Sequence, residues 1–419
     1  MLLRLISISI RPAQVLPRPA RLSSEFANAR AGEVGLVRGR WYIPAMSRGD
    51  WRFFASMAMI VVFATTACSG DSGDSGQGPA GPPSGSESWG RVGSGNGRGV
   101  GYGIAQSSAG DVAITGAFDQ TADLGAGVLT SKGSNDVYVA RYDVAGKPLW
   151  SKSFGDGEAQ LGIAVDIDAA GNTILGGNNA GTIDVGGGPL SAPGGEQDVF
   201  VAQLGPAGAH VWSREFGDKS FQSIADLVVD SSGNVLATGT NAGTIDFGNG
   251  PITAGGTHDG WIAKLDGAGK VAWSLGLGLA GAGAAQGTGI AVDPTSNVYV
   301  VGSFQGTLDL GGGPLTAEAD EDILVAKLDA AGHHVWSKRF GGPGAQNVTS
   351  VAVDRQGNVY LIGALAGATD FGGGAIGGAA SLFLVRLDTN GNHVWSKTFD
   401  GGRDARFARS RRMPTGTFV

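Results

Sequence analysis

Between Trp89 and Trp395 short apolar runs alternate with Gly- and Asp-rich breaks, and the whole arrangement returns about every sixty residues. One copy reads Gly289-Ile290-Ala291-Val292-Asp293, Asn297-Val298-Tyr299-Val300-Val301-Gly302, Asp322-Ile323-Leu324-Val325-Ala326-Lys327-Leu328-Asp329 and His334-Val335-Trp336-Ser337-Lys338. Runs this short, rich in Val, Ile and aromatics and bounded by turn residues, are strands. The first strand of a copy, as in Gly162-Ile163-Ala164-Val165-Asp166 or Ser350-Val351-Ala352-Val353-Asp354, is expected to end at its Asp. Segments such as Asp354-Arg355-Gln356-Gly357-Asn358 and Asp230-Ser231-Ser232-Gly233-Asn234 then make a tight turn: the Asp accepts backbone hydrogen bonds and the Gly is free to take positive φ. A second turn of the same kind, Asp329-Ala330-Ala331-Gly332 or Asp388-Thr389-Asn390-Gly391, leads from the third strand to the fourth, which carries the Trp.

Each copy adds a Gly-rich hairpin between its second and third strands, clearest in Thr182-Ile183-Asp184-Val185-Gly186, Thr244-Ile245-Asp246-Phe247-Gly248 and Thr307-Leu308-Asp309-Leu310-Gly311. Four antiparallel strands per copy, with little helix potential between copies, cannot shield their apolar faces singly and must stack. A radial array leaves only short sheet edges exposed. The pattern therefore predicts an all-β chain: a β-propeller of five four-stranded blades over 89–400, plus a truncated sixth repeat. Successive strands reverse direction, so the hairpins share one rim with the blade-to-blade connections, and that rim is the expected binding surface.

The segments Gly-Ile-Ala-Val-Asp at 289–293, Gly357-Asn358-Val359-Tyr360 and Trp336-Ser337-Lys338-x-Phe340 resemble the bacterial β-propeller repeat family called SBBP. The resemblance covers roughly residues 89–400; Leu275 departs from the Lys or Arg that other copies carry after Trp-Ser. It implies a propeller, often in an extracellular setting, without implying one shared activity.

Trp89, Trp150, Trp212, Trp273, Trp336 and Trp395 hold one repeat position and are expected to fill the space between blades rather than to stack on sugars. His210, His334 and His393 also share a position; a whole blade separates each from the next, so they are expected on sheet surfaces and not around one metal ion. Asp123, Asp184, Asp246, Asp309 and Asp370 recur in the hairpins. They are a candidate binding rim and, as hard oxygen ligands, candidate calcium ligands; a bond from each to its own glycine turn explains the recurrence more simply. Asp166-x-Asp168 with Gly171 is read as a turn rather than a calcium loop, for want of the later bidentate acid. The polar residues that break the repeat, Glu158, Glu215, His258, Glu318, Asp320, Glu321 and Asp322, are spread over different blades with no nucleophile or phosphate motif, so no catalytic residue is assigned and no enzyme is expected.

Glycine supplies 75 of 419 residues and only 16% are charged, which suits short strands and tight turns. The net charge is −7, and the first 45 residues carry seven Arg against Glu25 and Glu33, so the remainder is still more acidic. That body is a poor match for nucleic acid. The single cysteine, Cys68, excludes an internal disulfide and follows the apolar run 53–67, which Arg48 and Arg52 precede. The arrangement resembles a bacterial lipoprotein signal at 46–68, with Thr65 where Leu is usual, and implies lipidation of Cys68; Ser69 after it implies outer-membrane sorting. Residues 1–45 are then an untranslated or disordered extension, and 69–88, rich in Gly, Ser and Pro, a linker. The tail 401–419 is Arg-rich and breaks the repeat. Read from the third base of each codon, 412–418 is compatible with Asp-Ala-Asp-Gly-Asn-Val, the missing turn, so a frameshift is expected there.

These readings converge on a lipid-anchored propeller at the bacterial cell envelope that binds a protein or glycan partner or serves as a scaffold, with no cofactor other than calcium in view. The alternative is a secreted propeller enzyme acting on polysaccharide or a similar polymer.

Overall fold

The computed structural model describes residues 93–192, 196–277, 283–318, 320–378 and 381–400. The signal segment with Cys68, the linker, Trp89 and the tail lie outside the described residues.

The first blade contains β1 (Gly99–Gln106), β2 (Val112–Phe118), the hairpin β3 (Thr121–Asp123) and β4 (Val128–Thr130), β5 (Asp136–Tyr142) and β6 (Pro148–Phe154). β1, β2, β5 and β6 pair in that order, all antiparallel, and β3–β4 forms a separate two-stranded ribbon. The same unit repeats in blade two (160–216), blade three (222–276), blade four (284–340) and blade five (346–400). The chain is thus an all-β propeller, as the repeat predicts.

One local device recurs in every blade. The first strand bulges near its middle, between Gly162 and Ala164 in blade two and between Gly287 and Gly289 in blade four. A glycine of the second strand, Gly177 or Gly302, lies opposite; a Cβ there would run into the carbonyl of Leu161 or Gln286.

The core lies between blades. Val137 and Val139 of blade one pack with Leu175, Ile183 and Phe200 of blade two, and equivalent clusters join each later pair. Burying such side chains contributes roughly 1.5–3 kcal/mol apiece, which an isolated blade would forgo. The Trp series completes these seams: Trp150 donates its indole N–H to Pro206 O at 2.8 Å, Trp212 to Gly267 O at 3.0 Å and Trp336 to Thr389 O at 3.1 Å, each acceptor lying in the next blade's turn.

The first strand of blade two departs from its expected end. It spans Gln160–Ile167, with Asp166 paired to Ile174 and Ile167 to Thr173, so Asp168 opens the turn. Asp168 Oδ1 accepts the Asn172 N–H at 2.8 Å, as Asp230 Oδ1 accepts that of Asn234 at 2.9 Å. Asp166 is therefore the additional acid and belongs to the strand.

Candidate functional site

The first strands of all five blades converge on one cavity of about 420 Å³. It is lined where these strands run into their tight turns, by Ala105, Asp166, Val228, Ala291 and Ala352 at one register position and by Gln106, Ile167, Val229, Val292 and Val353 at the next. This is the rim opposite the hairpins. The cavity exists because three of the five residues at the first position are alanine; longer side chains there would fill the axis. A volume in this range fits a small ligand or one inserted side chain.

Stapling between blades sets the electrostatics. Asp166 accepts its own chain's Ile167 N–H and, through Oδ2, the Val229 N–H of blade three, both at 2.9 Å. Asp226 does the same one blade on, accepting from Leu227 at 2.9 Å and from Ile290 of blade four at 3.2 Å. Neutral groups make comparable stitches elsewhere: Asn178 Oδ1 accepts from Ile224 N–H at 3.0 Å and the Thr288 hydroxyl donates to Val348 O at 2.7 Å. The turn acids are buffered unequally. Asp230 faces Lys264 at 3.2 Å and Asp293 faces Lys327 at 3.9 Å, whereas Asp168 meets the uncharged Gln203 at 3.4 Å. Burial opposes ionisation of Asp230, but donors from Asn234, Lys264 and Ser232 hold its carboxyl below the usual range.

The hairpin acids go elsewhere. Asp184 Oδ1 accepts from Gly186 N–H at 2.7 Å and Gly188 N–H at 3.1 Å; Asp246, Asp309 and Asp370 repeat both bonds, and Asp123 accepts from Gly125 at 2.7 Å. They sit on five separate hairpins, and among the described residues no three His, Cys, Asp or Glu side chains gather in a way that would hold a metal ion. The three histidines are half-buried rather than on open sheet surface: His210 Nε2 lies 3.1 Å from Ser213 Oγ, and His334 and His393 pair likewise with Ser337 and Ser396.

None of the repeat-breaking residues singled out from the sequence lines the cavity. Glu158 is exposed, and the acidic run is anchored by Arg339, which bonds Asp322 at 2.5 Å and Glu318 at 2.6 Å. His258 lies at the seam between blades three and four, where its carbonyl accepts from Ala285 N–H. In blade two Glu215 takes the register position of Arg339. It thus joins Asp198, the equivalent of Asp322, as a second acid. Burial, then the Glu215 and Asp218 carboxylates, push Asp198 up to about 7, and burial raises Glu215 despite the Asn179 amide that bonds it at 2.6 Å. Asp198 is 1% exposed, so its carboxyl is shut away from solvent, while Glu215 beside it is half-buried.

Asp166 and Asp226 were not among the candidate site residues. The only sign in the sequence is that each is acidic where the other copies carry Ala, Val, Gly or Ser in register.

The model for the SBBP beta-propeller repeat matches residues 272–303 and 335–364, so the chain carries SBBP repeats. A WD repeat-containing protein of Acanthamoeba polyphaga mimivirus, itself uncharacterised, is 28% identical over 154 residues, which is 33% of this chain and 11% of that protein. The chain thus spans about a tenth of that relative's length. Among solved structures, a gluconolactonase from Xanthomonas campestris aligns over 77% of this chain and 85% of its own at 13% identity and TM-score 0.38. The calcium-binding protein regucalcin from Agrobacterium tumefaciens aligns over 74% and 77% at 12% identity and TM-score 0.32.

Proposed function

We propose that this protein is a non-enzymatic binding module, held at the outside of a bacterial cell by lipid on Cys68, that receives its partner at the axial cavity. The observation that carries the reading is the cavity itself: five blades contribute to one concave site, and most of its wall is aliphatic. Its best-placed carboxylates, Asp166 and Asp226, already accept main-chain N–H groups, an arrangement suited to holding a charge in place and ill suited to passing a proton. The seat lies on the rim opposite the hairpins, so this reading sets the partner away from the hairpin rim favoured from the sequence.

The reading is tested by a binding screen that compares the native chain with Ala352→Trp, which fills the axis, and with a variant whose hairpins are shortened to two-residue turns. Loss of the captured partner in Ala352→Trp supports the axial seat. Loss only in the hairpin variant moves the surface to the opposite rim, and turnover of a polysaccharide by the native protein would overturn the non-enzymatic assignment. Mass spectrometry of the mature N-terminus tests the anchor: a diacylated or triacylated Cys68 is expected, and an unmodified or internal Cys68 defeats it.

A further inference from the structure

Blade five is followed by no blade among the described residues, and its outer face is uncovered where the counterparts in earlier blades are covered. Leu384 takes the register position of Val325 and Leu382 that of Ile323; the blade-four pair is fully buried against blade five, while Leu382 and Leu384 are half-buried. Phe340 is 8% exposed and packs on Phe371 of the next hairpin with ring centroids 5.1 Å apart, as Phe216 packs on Phe247 at 4.8 Å. Phe399, in the same position, is 47% exposed. Among the described residues no cluster of buried side chains joins blade five to blade one.

The polar groups on this face lack the acceptors that serve their counterparts. Lys338 donates to Asn392 Oδ1 of blade five at 3.1 Å, and Arg141 to Gly171 O of blade two at 3.0 Å. Their equivalents by register, Lys397 and Arg386, have no following turn among the described residues, and Arg386 Nε is buried without a hydrogen bond. Trp150, Trp212, Trp273 and Trp336 each donate to a carbonyl in the next blade's turn, and among the described residues no such turn lies ahead of Trp395.

Elsewhere in the chain the element that covers such a face is a single strand. In each seam the first strand of the following blade lies against the inner three strands of the blade before it. None of the first strands of blades one to five contains Lys or Arg, which suits a face whose polar groups are donors. A second copy is a poor occupant: its blade one, seated by the same seam, would carry its later blades into those already set around the axial cavity. The Arg-rich segment 401–419 is also a poor one, since it repeats the charge of Arg386 and Lys397.

We propose that the outer face of blade five is a docking surface for a partner polypeptide that offers one extended apolar strand without Lys or Arg. The strand lies across Leu382, Leu384 and Phe399 as a first strand lies across the preceding blade, and its carbonyl groups accept from Arg386, Lys397 and Trp395. This surface is separate from the axial seat, and its occupation requires no ligand there.

The test uses the full chain and a fluorescein-labelled peptide with the sequence of 342–354, which contains the strand that covers blade four within this protein. Fluorescence anisotropy is expected to show saturable binding, weakened about tenfold or more when the peptide carries Val348→Asp and Val351→Asp. Leu384→Glu or Phe399→Glu in the protein should each weaken the unaltered peptide by about tenfold, and Arg386→Gln by about threefold. Leu384→Glu and Phe399→Glu change side chains that water already reaches, and circular dichroism with melting establishes that each variant folds. Absence of saturable binding, equal binding of the charged peptide, or binding that survives both Leu384→Glu and Phe399→Glu overturns the proposal. Sedimentation of the native chain as a dimer that Leu384→Glu returns to monomer would place a second copy on this face and overturn it as well.

Discussion

The imidazole of His210, which opens the fourth strand of blade two, occupies the space that a side chain on Gly187 would need. Gly187 is the middle residue of the hairpin turn, and the same fit joins His334 to Gly312 and His393 to Gly373. The two positions change together along the chain. Blade three has Val271 in place of the histidine and Asn249 in place of the glycine, and Asn249 Oδ1 instead accepts the Ser274 hydroxyl at 2.7 Å; blade one pairs Pro148 with Ala126. The repeated histidine is thus a peg that holds the hairpin to the blade.

From this fit, Gly187→Ala should destabilise the protein by roughly 1–3 kcal/mol, the usual range for forcing an extra carbon into a packed site. Adding His210→Val should restore at least half of that loss, because the smaller side chain frees the space. Urea denaturation followed by circular dichroism measures both; a double variant no more stable than the single one would sink the peg.

The indole seams make a second expectation. Trp336 donates to Thr389 O at 3.1 Å and meets Tyr299 edge-on with ring centroids 6.2 Å apart. Trp336→Phe keeps a ring in the seam and loses the hydrogen bond, so it should cost about 1 kcal/mol. Trp336→Ala opens a cavity between blades four and five and should cost about 3–5 kcal/mol. Thermal melting of the two variants should separate them clearly, and equal melting temperatures would assign the residue to the surface.

Much of the architecture was legible because the apolar runs are bounded by Asp-x-x-Gly turns whose chemistry is local. The Trp position was legible for a related reason: one indole per repeat, in a unit unable to bury its own faces, has to serve the neighbour. The axial site was not. Asp166 and Asp168 both close an apolar run, and only the pairing of Asp166 with Ile174 and of Ile167 with Thr173 decides which of them turns the chain. The cavity depends on Ala105, Ala291 and Ala352 meeting across blades, a relation that no window along one copy contains. Glu215 was visible as an acid that breaks the repeat, but its partner became clear only from the register that sets it where blade four carries Arg339.

The hairpin acids yield a contrast between metal removal and mutation. Asp309 Oδ1 accepts two turn N–H groups, Gly311 at 2.7 Å and Gly313 at 3.1 Å, so Asp309→Ala should lose about 0.5–2 kcal/mol, the range found when a side chain that caps backbone donors is removed. A chelator should leave the native melting temperature unchanged. A fall in melting temperature with chelator, reversed by added calcium and absent in Asp309→Ala, would instead make the hairpin carboxylates ion ligands.

The paired acids of blade two set a pH dependence of definite sign. Asp198 is lifted to about 7 from an ordinary carboxylate value near 3.8, first by burial and then by Glu215 and Asp218, and its Oδ2 meets no donor among the described residues. A carboxyl whose pKa is raised by folding holds its proton more tightly in the native state, so its stabilising contribution is complete below about 4, declines as pH rises, and is gone above about 7. Turn acids such as Asp230 and Asp293 run the other way: donors lower their pKa, so their contribution is present above the ordinary carboxylate range and fades below it. The native profile mixes the two trends, and Asp198→Asn separates them. The amide carries no charge at any pH and offers Glu215 a donor, so the variant should exceed the native protein by on the order of 1 kcal/mol at pH 8, with the gap closing towards pH 4. Chemical denaturation at pH 4, 6 and 8 measures this difference; a gap independent of pH would show that Asp198 is ionised throughout and that the second acid exerts no effect upon it.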